Sequence, residues 1–535
     1  MATWYDEKRV AYKGSVVLRD WNYTRNQERL RKERSESSRA YAGAAVNRLT
    51  SDWNSLSTSA DSEILTSLTA LRARSRQMVR DNAHARNAVR IVQNNVVGTG
   101  IGVQAQVSNA RGKLIDAVNS LIEEKWAEWC DKGTCHTAGL LGFPEMMRLI
   151  MAQLVEAGEV LVRKVRRPFG GGRVSLALEI LEADRLMDQW QTAKAPNGNS
   201  IRMGVEVDEW GRPQAYWFHP THPGDYQFSS FVPSKFIRVP ADEVIHLYIV
   251  ERWPQTRGVP WFHAVLRRIN DMKGYSDAEI VAARASANIV GFIKAPEPSP
   301  GDDVSFGQRV IDSEPGTFRQ LMPGEDFVGF NPSRPNAALE PFMRFMLREM
   351  AAGVGVSYEA LSRDYSQSNY SSSRLSLLDD RDLWRVLQGW LIRNFVSQVY
   401  REWLNQAVIS GELNIPDFFS NRAKYEKVRF KPRGWSWIDP TKEVSAFRSA
   451  VRAGFMTVSD VIAQTSGGQD AEDVFKSRRQ ELDMMDELDL TFDTDPASVD
   501  STGKDQPAVA AAISAGVPED GEENEEGEPA EEQDE

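Results

Sequence analysis

Three acids lie close together in Asp379-Asp-Arg-Asp382, and clustered carboxylates are ligands that Mg²⁺ accepts. If Asp379, Asp380 and Asp382 held Mg²⁺, the chain would be a metal-dependent nuclease. The same acids are expected in the first turns of a long helix, where the helix dipole favours negative charge. The structural interpretation is therefore preferred, and the nuclease remains the alternative.

A second candidate site is Cys130-Asp-Lys-Gly-Thr-Cys135-His136, which offers two thiols and one imidazole. A tetrahedral zinc site needs a fourth ligand, and no second Cys/His pair lies nearby in the sequence. We interpret the segment as a helix end followed by a turn, and we predict no metal.

Glycine-rich segments do not indicate nucleotide binding either. Gly98-Thr-Gly-Ile-Gly102 is expected to follow a helix and precede a strand, the reverse of the order that a phosphate-binding loop needs. Phe169-Gly-Gly-Gly172 is followed by no Lys-Ser/Thr pair, and His219 and His222 flank a proline turn. The sequence contains no HExxH or Walker motif, so we predict a protein that is not an enzyme and has no cofactor.

The least ordinary stretch is an uncharged polar loop between two predicted helices. The helix before the loop has Pro341 at a position that suits N1 and ends at Gly353. The helix after it runs from about Ser373 to Gln406, roughly 50 Å at 1.5 Å per residue. Polar residues of the loop are Ser366, Gln367, Ser368, Asn369, Ser371, Ser372 and Ser373, of which the last three offer helix caps.

The second helix carries an apolar stripe at helical spacing. Its members are Trp384, Leu387, Leu391, Phe395, Val399 and Trp403. Burying six such side chains contributes on the order of 10–15 kcal/mol, so the stripe predicts core packing.

Composition describes a chain that can bury large cores. It has 535 residues, of which 41% are hydrophobic and 26% charged, with a net charge of −12. Segment 493–535 carries fifteen acids against Lys504, a charge of −14, so the rest of the chain carries +2. A body so near neutrality does not favour tight non-specific DNA binding, which depends on many cation–phosphate contacts. No apolar run reaches about 18 residues and no secretion signal is present, so we expect a soluble protein that is cytoplasmic when made and binds no membrane.

The remaining patterns alternate helices and hairpins. Six arginines on one predicted helix are Arg72, Arg74, Arg76, Arg80, Arg86 and Arg90, scattered around it, which favours ion pairs between subunits over DNA contacts. Two hairpins are expected, 158–165 with 173–180 and 201–207 with 214–219, then a strand at 244–250. A helix follows from Trp261 to about Phe292, and short strands are expected at 317–321 and 327–330. The last helices are one with Asp439 as cap and Pro440 at N1 and one with a capping box at Thr457 to Asp460.

Two segments around the polar loop resemble the lambda-type portal proteins of tailed bacteriophages. They are Ala352-Gly-Val-Gly-Val-Ser-Tyr-Glu359 and Ser368-Asn-Tyr-Ser-Ser-Ser-Arg374. Further similar segments are Leu71-Arg-Ala-Arg-Ser-Arg76, Asn94-Asn-Val-Val-Gly-Thr-Gly-Ile101 and Gln255-Thr-Arg-Gly-Val-Pro260. The resemblance extends over roughly residues 41–490.

The resemblance implies an α+β, mainly helical portal fold with wing, stem, clip and helical crown. The expected parts are a flexible arm (1–40), the wing (41–255), a first stem helix (256–293), the clip (294–337), a second stem helix (338–353), the tunnel loop region (354–373), a long helix (374–408), the crown (409–492) and a disordered acidic tail (493–535). Within this plan, Tyr370 joins the seven polar residues named above as the tunnel loop that faces DNA.

The function implied by the resemblance is a homo-oligomeric ring, usually a dodecamer, at one capsid vertex. Double-stranded DNA would pass through it without sequence specificity during packaging and ejection. Expected partners are the major capsid and scaffolding proteins, the terminase large subunit and the head-completion or tail connector protein. The expected location is the virion, preceded by the host cytoplasm during assembly.

Overall fold

The computed structural model describes residues 57–225, 236–288, 291–294, 326–329, 338–435, 440–465, 471–488 and 490. Predictions for the arm (1–40), the strand at 317–321, the Asp439 cap and the acidic tail (493–535) lie outside these residues. The chain divides into two compact units, residues 1–67 with 251–255 and residues 68–250 with 256–535. Within the first unit, the Arg252 guanidinium lies 3.0 Å from the Glu63 carboxylate.

Helices dominate the described residues. They are α1 (Ala60–Asp81), α2 (Ala83–Val92), α3 (Asp116–Cys130), α4 (Phe143–Ala157), α5 (Leu266–Asn288), α6 (Leu339–Val354), α7 (Tyr358–Ser362), α8 (Tyr370–Leu391), α9 (Ser397–Ile409), α10 (Arg422–Tyr425), α11 (Pro440–Arg452), α12 (Val458–Thr465) and α13 (Ala471–Glu487). π-helical turns at Gln93–Val97 and Ile392–Val396 extend α2 and join α8 to α9. None of the described helices is both long and apolar enough to span a membrane.

Short strands form four antiparallel groups. The strands are β1 (Gly102–Ala105), β2 (Glu159–Val165), β3 (Ala177–Leu181), β4 (Ser200–Arg202), β5 (Val205–Val207), β6 (Pro213–Phe218), β7 (Ile237–Pro240), β8 (Val244–Tyr248), β9 (Gly291–Lys294), β10 (Asp326–Gly329) and β11 (Val428–Lys431). Their orders are β3-β2-β8, β4-β5-β6-β7, β1-β11 and β9-β10. The fold is therefore α+β and mainly helical, as predicted.

The long apolar stripe forms core, as its spacing predicts. All six of its side chains are buried, four of them completely. Trp403 packs edge-on against Trp126 of α3, with ring centroids 5.0 Å apart, and Phe395 stacks on Phe143 of α4 at 5.6 Å. The helix that carries the stripe thus lies on α3 and α4, and it needs no cofactor to explain its residues.

Several predicted boundaries are corrected. The single strand expected over 201–207 is in fact two strands, β4 and β5, because the chain turns at Met203 and Gly204, both at positive φ. The six arginines span two helices, since Asn82 stops α1 and caps α2 by accepting a hydrogen bond from Ala85 N at 3.0 Å. Helix α5 ends at Asn288, and Phe292 lies in β9.

Other local predictions are confirmed. Gly98, at φ 61°, ends the first π-helical turn, and β1 follows it. The capping box at α12 forms, with Thr457 N donating to Asp460 at 3.0 Å and Asp460 N donating to Thr457 Oγ1 at 3.1 Å. Strand β10 lies at the predicted second strand and pairs with β9, Phe327 standing opposite Ile293.

Candidate functional site

The polar loop begins where α6 ends, two residues later than predicted. Gly355, at φ 77°, adopts the left-handed conformation that ends the helix. Gly353 lies inside α6, where a Cβ would come within 2.3 Å of Val265 Cγ1. Pro341 occupies the third position of the helix and not the first, since α6 starts at Leu339. Glycine at position 353 therefore serves close packing and not helix termination.

A short helix, α7, fills the first part of the predicted loop region. Its cap Ser357 is held by the buried Asp380 of α8, which accepts from Ser357 N at 3.0 Å and from Ser357 Oγ at 2.7 Å. From the other side, the Asn87 side-chain amide of α2 donates to the carbonyls of Ala360 and Leu361 at 3.0 and 2.8 Å. Helices α2 and α8 thus fix the base of the loop.

Asp364 organises the next turn. It accepts hydrogen bonds from Ser366 Oγ at 2.6 Å, from Ser366 N at 3.0 Å and from the Tyr358 hydroxyl at 2.8 Å. These donors, the Ser366 hydroxyl first, lower the pKa of Asp364 to about 2, so the carboxylate is charged at neutral pH. The uncharged loop is therefore preceded by a fixed anion and by Arg363, which stands at φ 60°.

The helix after the loop starts earlier than predicted. Asn369 caps α8, accepting from Ser372 N at 2.8 Å, while Ser372 Oγ accepts from Asn369 N at 3.1 Å. Ser371 and Ser373 were predicted as caps, but they belong to the first turn of the helix together with Tyr370. Asparagine's side-chain oxygen reaches the third helical N–H as well as serine's does, so the earlier residue captures the helix start.

The eight predicted tunnel-loop residues are therefore brought together, but not as one loop. Ser366 to Asn369 form a turn, in which Ser368 Oγ donates to the Tyr365 carbonyl at 3.0 Å. The remaining four form helix. Gln367 and Ser371 are exposed, and so is Tyr370, at 59%. The segment presents hydroxyl and amide groups to the surface on a backbone that local hydrogen bonds define.

The acids of the nuclease alternative do not converge on one point. Asp380 points at Ser357, its pKa raised by burial, and Asp382 pairs with Arg385 at 3.0 Å. They lie in the third and fourth turns of α8, beyond the reach of the helix dipole, so the dipole does not explain these acids and that part of the prediction was wrong. All three acids and Glu359 of α7 line an open groove of about 620 Å³ between α7 and α8, but among the described residues their carboxylate oxygens do not gather within 4.8 Å of one another.

The cysteine segment is a helix end and a turn, as predicted. Cys130 is the last residue of α3, and the buried Cys135 contacts the carbonyl of residue 130 at 3.4 Å. Burial raises the pKa of the Cys135 thiol to about 12, which opposes the thiolate that a metal would bind.

Among the described residues, three possible metal ligands do approach one another elsewhere. Ligand atoms of Glu182, Asp184 and His222 lie within 4.8 Å of each other. Asp184 already pairs with Arg72, at 3.6 Å, and with Arg76, and two guanidinium groups at this carboxylate oppose a further cation. We interpret the group as part of an ion-pair network.

That network is the feature that sequence reasoning missed. At its centre Glu159, the first residue of β2, is fully buried and binds Arg257 at 2.6 Å, Arg72 at 3.1 Å and His246 at 2.9 Å. Arg257 also binds Asp188 at 2.7 Å. Coulombic attraction to Arg257 and the His246 hydrogen bond overcome burial, so the pKa of Glu159 lies well below its usual range.

The network corrects the assignment of the arginines. Arg72 and Arg76 pair inside the chain and not between subunits, because α1 passes beside β2 and the turn at Ala183–Arg185. The backbone crosses itself at the same place, where a Cβ on Gly258 would come within 2.2 Å of the Gly158 carbonyl oxygen. The available sequence signal was Glu159 itself, an acid at the start of an apolar strand.

Comparison with known proteins gives these elements a family context. Residues 46–388 match the model of the family described as phage portal protein, lambda family. The probable portal protein of Halomonas phage phiHAP-1 is 30% identical over 454 residues, which is 83% of this chain and 86% of the relative. Portal protein B of Escherichia phage lambda is 23% identical over 480 residues, 80% of this chain and 86% of the relative.

Solved structures of low similarity include the neck of an empty GTA particle computed with C6 symmetry, with a TM-score of 0.41 and 14% identity over 74% of this chain and 94% of that one. The neck of a native GTA particle computed with C12 symmetry has a TM-score of 0.40 and 14% identity over 76% of this chain and 100% of that one. The family model covers well over half of the residues, α1 to most of α8. The chain belongs to the lambda family of phage portal proteins.

Proposed function

We propose that copies of this chain form a ring, a dodecamer, at one capsid vertex, and that the ring is the channel for DNA packaging and ejection. Apolar side chains exposed on the two helices beside the polar loop carry this proposal. Phe345 of α6 is 64% exposed, and Leu375 and Val386 of α8 are 71% and 65% exposed. A single chain leaves these side chains in water, whereas neighbouring copies would cover them.

The polar segment from Ser366 to Ser373 is proposed to face DNA in the channel. Its side chains offer hydroxyl and amide groups, whose exchange between water and phosphate changes the free energy little, because a hydrogen bond contributes only about 1 kcal/mol net. A lysine here would be repeated in every subunit, and each phosphate neutralised adds about one unit to the salt dependence of binding. Neutrality therefore suits passage of DNA better than it suits retention by charge.

The outlying parts are assigned by the same proposal. The two stem helices are α5 and α6, and the chain between them, which includes the β9–β10 pair, is the clip that meets the terminase large subunit and the tail connector. The wing comprises the sheets and helices of residues 41–255, and the crown comprises 409–492. Capsid and scaffolding proteins would contact the wing, and the assembled ring would reside in the virion.

Negative-stain imaging of the purified protein tests the ring. Rings with a central hole are expected, together with sedimentation far faster than a 60.2 kDa monomer allows. Replacing Leu375 and Val386 by Ser should shift the population toward monomers, because it removes apolar surface that is already exposed in one chain. Uniform small particles and a single 60.2 kDa species at micromolar concentration and moderate salt would refute the proposal.

A further inference from the structure

Three cations alternate along strand β11 and the residue just before it. Lys427, Arg429 and Lys431 alternate along the chain with Val428 and Phe430, which pack against the main apolar core. Side chains of successive strand residues point to opposite faces, so the three cations share the face that turns away from the core. We call Lys427, Arg429 and Lys431 the basic stripe.

Neutral groups surround the stripe in the strand pair. Arg429 stands opposite Gln104 of β1, and Lys431 stands opposite Gly102. In the part of the chain that the structure describes, no carboxylate lies within the 4.0 Å of an ion pair from the charged nitrogens of the stripe. Three uncompensated positive charges therefore lie on five consecutive residues of extended chain, a length of roughly 13 Å.

Helix α13 turns this face into an open groove. The groove has a volume of about 550 Å³ and is lined by the strand residues Gln104, Arg429 and Lys431 and by helix residues that include Phe475, Arg478 and Glu481. Phe475 is 54% exposed, and Arg478 pairs with Glu481 at 3.3 Å. The chemistry of this groove suits an extended polyanion that also makes some apolar contact.

The same chain carries such a polyanion beyond α13. Glu519 to Glu535 include eleven acids and no Lys or Arg. Glu481 of α13 lines the groove, so the chain leaves the groove shortly before Leu490. From Leu490 to Glu519 the chain contains enough residues to span about 90 Å at full extension, which is ample to return to the groove. We propose that residues 519–535 dock on the basic stripe of this chain and shield it from other polyanions.

A tethered segment has an advantage over free DNA at this surface. Linkage within one chain gives an effective concentration of about millimolar, so modest charge pairing suffices for occupancy. Removing the segment should then uncover the stripe for any duplex. The inference does not rest on the proposed ring or channel, and its tests need neither.

The first test measures binding of a short duplex DNA at about 0.05 M salt, where charges are weakly screened. Deleting residues 501–535 should tighten binding by about tenfold, because three cations become available to phosphates. In a chain carrying Lys427→Gln, Arg429→Gln and Lys431→Gln, the same deletion should change binding by less than about threefold. A control with Lys132→Gln, Lys194→Gln and Lys273→Gln, all exposed, removes equal charge and should keep the tenfold gain.

Two outcomes of this experiment overturn the proposal. Equal gains with and without the stripe would mean that the acidic segment acts only through net charge. Tight binding by the full chain that depends on the stripe and is unaffected by the deletion would mean that the stripe is an open DNA surface.

The second test uses the unmodified protein, so it does not depend on how a variant folds. A carbodiimide couples carboxylates directly to lysine amines that touch them. Cross-links from Glu519 to Glu535 should concentrate on Lys427 and Lys431 at about 0.05 M salt and disappear at about 0.5 M, where screening is strong. Cross-links spread evenly over Lys132, Lys194 and Lys273 would overturn the proposal.

Discussion

Replacing Arg257 by Leu should destabilise this protein more than almost any other single exchange of a charged residue. The side chain is fully buried, and its three nitrogens donate to Glu159, to Asp188 and to the carbonyls of Met203 and Ala183 at 2.6 to 3.2 Å. Leucine fills part of the volume but donates nothing. The exchange therefore leaves the buried Glu159 carboxylate without its main counter-charge.

The cost follows from what remains around Glu159. Removing one partner of a buried ion pair costs roughly 3–5 kcal/mol. Arg72 and His246 still reach Glu159, and Gly258 N still donates to it at 3.0 Å, so we expect the lower end, about 3 kcal/mol. Arg257→Lys keeps the charge but loses the planar fork and the two carbonyl contacts, and should cost about 1–2 kcal/mol.

Calorimetry or urea unfolding at one protein concentration checks the order of stability. The matched control is Arg166→Leu, which removes a surface pair with Glu402 at 2.9 Å from an arginine side chain that is 40% exposed. Solvent screens that pair, so its loss should cost less than about 1 kcal/mol. Combining Arg257→Leu with Glu159→Gln should destabilise less than the sum of the two single exchanges, because the unpaired charge is then gone.

The effect should also depend on pH. Because the pKa of Glu159 in the folded chain lies below its unfolded value of about 4.3, its contribution is complete above that pH and is lost as pH falls further. The difference between wild type and Arg257→Leu should therefore shrink below about pH 4. An Arg257→Leu protein as stable as the Arg166→Leu control at neutral pH would refute the buried network.

Three further exchanges have predicted effects, two on thermal stability and one on the handling of DNA. Burial lowers the pKa of His246 below its unfolded value of about 6.5, so protonation of this side chain destabilises the folded state as the pH falls below about 6.5. His246→Gln should therefore flatten the fall in melting temperature between about pH 6.5 and 5, and an unchanged fall would contradict this. Gly258→Ala should unfold at markedly lower temperature, since its Cβ would meet the chain at 2.2 Å, whereas Gly274→Ala, in an open stretch of α5, should stabilise by about 1 kcal/mol; similar effects at both sites would contradict the backbone crossing. Gln367→Lys with Ser368→Lys should preserve rings but impair packaging or retention of DNA, most at low salt, and heads that hold DNA as well as wild type across salt concentrations would show that the loop does not face the channel.

The last of these exchanges shows how the structure refines a sequence-based design. Asn369 belongs to the same polar segment, and a lysine there would also add charge. Its side chain caps α8, however, and losing an N-cap costs about 1 kcal/mol. Charge is therefore best added at the exposed Gln367 and the half-buried Ser368, where the cap at Asn369 is kept.

Local periodicity let the sequence by itself determine much of this protein. The apolar stripe from Trp384 to Trp403 predicted a long helix against a core, and Glu159–Val165 with Ala177–Leu181 followed from one hairpin pattern. The capping box at Thr457 was equally readable. Each of these depends on residues close in the sequence, where side-chain direction and hydrogen-bond geometry follow from spacing.

The residue that caps α8 was less predictable, because several neighbouring side chains can serve as an N-cap. Asn369, Ser371, Ser372 and Ser373 all have side chains that accept from a backbone N–H, and the sequence does not rank them. The tertiary position of α7, held by Asp380 and Asn87, sets how soon α8 can begin.

Only the tertiary structure decided which distant groups meet. Glu159, Arg72 and Arg257 are separated by 87 and 98 positions, and no local pattern pairs them. Strand β1 likewise pairs with β11, Gly102 opposite Lys431, and this pairing gives the basic stripe its direction. Burying one of these charges without its partner would be costly, so each can be buried only where the fold places the opposite charge beside it.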